Sequence, residues 1–151
     1  MEHGGNLDLD HQLCIALYNA SRAVNGCYRP LLDELGITYS QYAVMLVMWD
    51  RGTTTLRDLG SALYLDSGTL SPLLKRLEGM GLVTRERHAA DERMLDVRIT
   101  PAGTALRGRA AAAQQRVESM TEYDSAEVAA LRDELNALAE RMRNASRRTL
   151  A

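Results

Sequence analysis

Between Leu56 and Ile99 the apolar residues change period, and that change constrains the fold more than any other feature of the chain. Leu56, Leu59 and Leu63 recur every three or four residues, and so do Leu70, Leu73, Leu74 and Leu77. Each set predicts a short helix with one buried face. Asp66-Ser67-Gly68 between them is turn chemistry, with Asp66 or Ser67 able to cap the second helix. Pro72 suits only a first turn, with Ser71 as an alternative cap, so the start of that helix is placed to within one turn. From Leu82 the period falls to 2. Leu95, Val97 and Ile99 alternate with Asp96 and Arg98, which predicts a half-buried strand, paired with Leu82 to Arg87 through a polar tip at His88 to Arg93. Short helix, turn, short helix and hairpin, in that order, make a winged helix-turn-helix.

Helices flank this centre. Leu13, Leu17, Ala20, Val24, Leu31 and Leu35 predict an amphipathic helix from Asp8 to Leu35, with a mild break at Asn25-Gly26, a kink at Pro30 and a stop at Gly36. Ser40 is expected to cap a very apolar second helix that runs through Trp49 and ends near Arg51-Gly52. Thr53-Thr54-Thr55 suits a strand of three residues at most. Thr100-Pro101 starts a helix expected from Ala102 to Met120. Asp124 and Glu127 form a capping-box pair for the last one, where Val128, Leu131, Leu135, Leu138 and Met142 make a seam two heptads long. The predicted class is α+β, mainly α, as one domain over 1–151. About 53–100 would form the winged helix, with helical dimerisation parts at about 7–50 and 101–148.

The 151 residues are 46% hydrophobic and 25% charged, which disfavours a disordered chain. No apolar run approaches the ~18 residues of a membrane span. Met1 to Asp10 has no basic-then-apolar order of a secretory leader, and two cysteines cannot make a disulfide scaffold, so a cytoplasmic protein with no membrane partner is expected. The net charge is −2; residues 1–50 carry two arginines against six acids, and each later third has eight basic side chains against seven acidic. Nucleic acid would therefore be met by a few placed arginines rather than a broad positive face. His3, His11 and His88 lack ligand spacing, no CxxC pair is present, and neither a phosphate loop nor a nucleophile with its base is found. Neither a metal, nor a cofactor, nor catalytic residues are expected.

A winged helix presents its second helix to the major groove of double-stranded DNA. Ser67, Thr69, Ser71, Lys75 and Arg76 fall on the turn or the polar side of that helix, and Arg93 stands at the hairpin tip, where a guanidinium suits the minor groove. The same charges also suit the solvated face of a small α+β core, or a helical protein-interaction module. Cys14 has two readings as well. It is a small apolar residue of an amphipathic helix, or a reactive thiol with Tyr18 one turn on to donate a hydrogen bond to the thiolate. A thiol peroxidase would use the same first step but has no need of a wing.

The run Asp91-Glu92-Arg93-Met94-Leu95-Asp96-Val97-Arg98-Ile99-Thr100-Pro101-Ala102-Gly103 resembles the wing of the MarR family of bacterial transcription factors. Leu65 to Glu78 is similar to the recognition helix of its organic-hydroperoxide-sensing branch, the OhrR type. The runs Leu9 to Cys14, Ala16-Leu17-Tyr18, Tyr28 to Leu32 and Thr38-Tyr39 agree. The resemblance implies a repressor that binds a pseudo-palindromic operator as a homodimer, with Ser67, Thr69, Lys75 and Arg76 in the major groove and Arg93 in the minor groove. It further implies that Cys14 senses an organic hydroperoxide, with Tyr28 and Tyr39 of the second subunit as partners. On one helix Cys14 and Tyr28 are ~21 Å apart, so only a second, antiparallel chain can join them. A resolving cysteine near the C-terminus, as in the two-cysteine branch, is missing. Cys27 lies ~20 Å from Cys14, beyond the span of an intrachain disulfide, although a disulfide between subunits stays open. The resemblance is thus to the one-cysteine branch, whose sulfenic acid is trapped by a low-molecular-weight thiol or oxidised further. The alternative is a MarR-type regulator released by a small aromatic or phenolic ligand, with Cys14 inert.

Overall fold

A computed structural model describes residues 7–150; His3 and most of the Met1–Asp10 segment lie outside them. A single 3-10 turn at Leu9–His11 precedes α1 (Leu13–Leu35), followed by α2 (Tyr39–Arg51), β1 (Thr53–Thr55), α3 (Leu56–Leu63) and α4 (Ser67–Gly79). The strands β2 (Val83–Arg87) and β3 (Leu95–Ile99) come next, then α5 (Pro101–Ala105), α6 (Arg107–Met120) and α7 (Ser125–Thr149). Packing divides the chain into two units, one up to Gln114 and one from Gln115 onward.

In the first unit the three strands form an antiparallel sheet in the order β1-β3-β2. Thr54 faces Val97 from one side and Arg85 faces it from the other, so β3 is central. Leu59, Leu70, Leu74, Leu77, Val83 and Val97 are fully or almost fully buried with Val44, Met45 and Met48 of α2. Each such side chain contributes roughly 1.5–3 kcal/mol of burial. This core holds the helix pair α3–α4 and the hairpin to one another. In the second unit α7 buries none of its residues, and Leu131, Leu135 and Met142 of its seam are exposed.

Local chemistry explains where several elements begin. Asp66 caps α4 by accepting from the Thr69 amide at 2.6 Å, and Asp124 and Glu127 make the expected reciprocal box at α7. Thr100 caps α5 with Pro101 in its first turn. The expected cap at Ser40 is corrected: Thr38 caps α2, because Thr38 and Gln41 complete a reciprocal pair that Ser40 cannot offer. The expected helix Ala102–Met120 is two helices, parted at Leu106. Gly103 shows why α5 needs its own placement. A Cβ there would run into the Leu82 carbonyl and stand 2.9 Å from Ile99 Cγ1, so only glycine lets α5 seat on the roots of β2 and β3.

Neither internal proline stops its helix. Pro30 lies within α1 and Pro72 within α4, six residues into a helix that starts at Ser67 rather than at Ser71. In each case the residue four places earlier, whose carbonyl loses its helical partner, is a glycine: Gly26 and Gly68. A glycine can tilt that carbonyl toward water with the least backbone resistance.

Candidate nucleic-acid interface and sensor cysteine

The outward side of α4 is set by what it buries. At about 100° per residue, Leu70, Leu74 and Leu77 point one way, and Lys75 and Arg76 flank the opposite line through Gly68 and Pro72. Lys75, Arg76, Ser67 and Thr69 are exposed, whereas Ser71 lies at the margin of the core and is half-buried. Two cations thus border a strip with little side chain, which brings the helix backbone close to any surface it meets. The sequence points to the cations, but the bare strip between them is legible only once the helix phase is known. The Thr69 hydrogen bonds hold the Asp66 carboxyl below its ordinary value, so the cap is anionic.

The wing is braced at its root and free at its tip. Glu78 of α4 accepts from the Arg85 amide at 3.0 Å and from its guanidinium at 3.2 Å, and this pairing holds the Glu78 carboxyl below the usual range. Glu78 was not among the residues the sequence singles out, though it lies seven residues before Arg85. Farther along, His88 Nδ1 stands 2.8 Å from an Asp96 oxygen, and Arg87 donates to the Glu92 carbonyl. At the tip the Arg93 side chain is 91% exposed and rests on Asp91 at 3.3 Å. An ion pair so open to water contributes little, so Arg93 can exchange Asp91 for a stronger anion.

On α1, Cys14 is exposed and Cys27 is half-buried. Tyr18 is exposed one turn beyond Cys14, and the Arg22 guanidinium lies 5.4 Å from its ring centre. The structure brings Tyr28 and Tyr39 together as an edge-to-face pair at 5.7 Å, with Tyr28 buried and Tyr39 exposed. It does not bring either to Cys14 within the chain, since α1 is unbroken between residues 14 and 28. Around the helix, however, Tyr18 and Tyr28 each lie about 40° from Cys14, while Cys27 lies about 140° away. Sequence reasoning missed two further rings. Tyr42 stands 5.4 Å from Tyr28 and 6.0 Å from Tyr39, and Trp49 stands 6.2 Å from Tyr42. The signal available was a chain with six tyrosines and no phenylalanine, two of them three residues apart on α2.

A cavity of about 350 Å³ lies beside Tyr39, lined also by Asn25, Arg29, Asp33 and Thr38. A second, of about 220 Å³, is lined by Tyr42, Trp49, Asp50 and Arg107 among others. Among the described residues no three histidines, cysteines or acids gather, and no helix is long and apolar enough to cross a membrane.

Comparison with known proteins places this geometry. Residues 27–106 match the family model described as transcriptional regulator SarA/Rot. The organic hydroperoxide resistance transcriptional regulator of Bacillus subtilis is 47% identical over 105 residues, which cover 70% of this chain and 71% of that protein. Reduced AbfR bound to DNA, from Staphylococcus epidermidis, superposes with a TM-score of 0.76 at 38% identity, over 89% of this chain and 94% of that one. Overoxidized AbfR bound to DNA gives 0.73 at 36% identity, over the same shares. With the braced wing and the exposed face of α4, these likenesses show that the chain belongs to the SarA/Rot and MarR-type winged-helix transcriptional regulators, in the branch of the organic hydroperoxide regulators.

Proposed function

We propose that this protein is a repressor that binds a pseudo-palindromic operator as a homodimer and releases it when an organic hydroperoxide oxidises Cys14. The observation that carries the reading is the placement of Cys14 and Tyr28 on one stripe of an unbroken α1, ~21 Å apart. A second copy running antiparallel brings each Cys14 to the Tyr28–Tyr39 pair of its partner. The exposed Leu13, Leu17 and Val24 of α1 supply an apolar face for that partner, and the exposed seam of α7 supplies another. Two recognition helices would then address half-sites ~34 Å apart. Lys75 and Arg76 enter the major groove, with Ser67, Thr69 and Ser71 beside them, and Arg93 enters the minor groove.

In the sensing step the Cys14 thiolate attacks the outer oxygen of ROOH. The O–O bond breaks, an S–O bond forms, sulfur loses two electrons to the peroxide, and alkoxide RO⁻ leaves and takes a proton from water to become the alcohol ROH, giving sulfenic acid. Phenolic O–H groups of the partner's tyrosines stabilise the thiolate before attack. A low-molecular-weight thiol then displaces hydroxide, which leaves as water, and forms a mixed disulfide. Cys27 is on the wrong side of α1 to take that part. The overoxidized form of AbfR was solved on DNA, which argues against further oxidation as the releasing species. A near-complete switch needs the modified sulfur to favour the released arrangement by ~5.5 kcal/mol. The protein acts in the cytoplasm, without cofactor or metal, as a regulator rather than an enzyme.

The test is operator binding with and without cumene hydroperoxide plus a small thiol, followed by intact mass. Cys14→Ser protein should bind DNA and ignore peroxide, and Cys27→Ser should respond like the parent. Release of Cys14→Ser by peroxide would overturn the reading. The cavity lined by Tyr42, Trp49 and Arg107 favours one second reading, release by a small aromatic ligand. At about 220 Å³ it falls below the usual ~300 Å³ of a ligand pocket.

A further inference from the structure

Four aromatic rings in the first unit run without a gap from the sensor tyrosines toward the wing. Tyr28 and Tyr39 are 5.7 Å apart, each lies within 6.0 Å of Tyr42, and Tyr42 is 6.2 Å from Trp49. All four spacings fall in the range of direct ring contact. At the end of the series the Trp49 indole N–H donates to the Gly103 carbonyl at 2.8 Å. Gly103 is the residue pressed against the Leu82 carbonyl and the Ile99 side chain. Leu82 leads into β2 and Ile99 ends β3, so this one hydrogen bond grips the root of both wing strands. Rings in direct contact can hand a displacement along the series, and Tyr42, buried between the sensor pair and Trp49, is the ring through which it passes.

We infer that Trp49 is a positioning residue that transmits the oxidation of Cys14 to the wing, by way of Tyr28, Tyr39 and Tyr42. The inference rests on the reading of Cys14 as the sensor and names the part of the molecule that carries its signal. A modified sulfur seated against the partner's Tyr28 and Tyr39 displaces their rings; Tyr42 follows, and Trp49 pulls on or lets go of Gly103. The wing root then shifts and Arg93 loses its register. Trp49 touches neither peroxide nor DNA in this account. A merely structural Trp49 would change stability and leave the link between oxidation and release intact.

The experiment measures that link on the full-length dimer, as the ratio of operator affinities before and after stoichiometric cumene hydroperoxide with a small thiol. Trp49→Phe keeps a ring against Tyr42 and deletes the N–H donor. It should bind DNA when reduced and be oxidised at Cys14 at the parent rate by intact mass. Its affinity ratio should fall by about tenfold or more. Tyr42→Leu should lower the ratio likewise, and the double variant should add little. A ratio in Trp49→Phe equal to the parent's would overturn the inference. If Trp49→Phe fails to fold, the parent decides, because Trp49 is the chain's only tryptophan. Its emission should shift with release and stay still in Cys14→Ser; release with no shift overturns the inference. A parent that is never oxidised at Cys14 defeats the sensor reading first, and this inference with it.

Discussion

Glu78 commits both carboxylate oxygens to Arg85, one to its amide and one to its guanidinium. A carboxylate stabilised in this way has a folded value below its unfolded one, and Asp66 behaves alike at the cap of α4. The sign follows: both groups stabilise the fold above the unfolded carboxylate range, and that contribution is lost as pH falls through roughly 4. Thermal midpoints should therefore be flat from these groups between pH 6 and 8 and should drop below about pH 4. Glu78→Gln should show a shallower drop in the same scan. Gly103→Ala should cost about 1–3 kcal/mol in denaturant unfolding, because the new methyl has backbone on one side and Ile99 on the other. Sequence exposes residues of this kind unevenly. Cys14 and Tyr18 stand out by type and spacing and Tyr28 and Tyr39 by the family resemblance, whereas Glu78, Tyr42 and Trp49 act through partners far along the chain, and no local pattern reports a contact between residues 49 and 103.

Among the elements, α4 and the wing were legible because their signal is periodic: a buried leucine stripe for one and strict alternation for the other. Starts and stops were harder. Thr38 with Gln41 outcompetes Ser40 by satisfying two amides at once, and nothing in the alanine-rich run after Pro101 announces the break at Leu106. The break reflects the seat of Gly103, a tertiary demand. Thr38→Ala should lower stability by about 0.5–2 kcal/mol while Ser40→Ala stays near neutral, as read by chemical denaturation. On DNA, Lys75→Ala and Arg76→Ala should each weaken binding, and Arg93→Ala should do so too. A phosphate contact shows as a uniform loss with a shallower salt slope, and a base contact as ~1–3 kcal/mol confined to one position of the operator. Unchanged affinity in all three variants would remove α4 and the wing from the interface.

At the scale of the whole molecule, Leu13, Leu17 and Val24 of α1 and Leu131, Leu135 and Met142 of α7 stay exposed. Leu131→Glu with Leu135→Glu should yield a monomer in sedimentation at micromolar concentration and abolish operator binding, since one half-site holds only part of the contacts. The proposed dimer requires association to stop at two, and β2 has a bearing on that limit. It is an outer strand of the sheet, and apart from the Arg85 amide, which Glu78 takes, its outward backbone groups have no strand beside them. Such an edge can recruit a strand from a neighbouring molecule and start a fibre. Here three of its five residues, Arg85, Glu86 and Arg87, are charged, and only Val83 is an apolar residue of the core. Two such edges aligned in parallel and in register would set like charge on like charge. The strand that carries the wing is thereby guarded against the aggregation its position invites, even where many copies crowd along the same DNA.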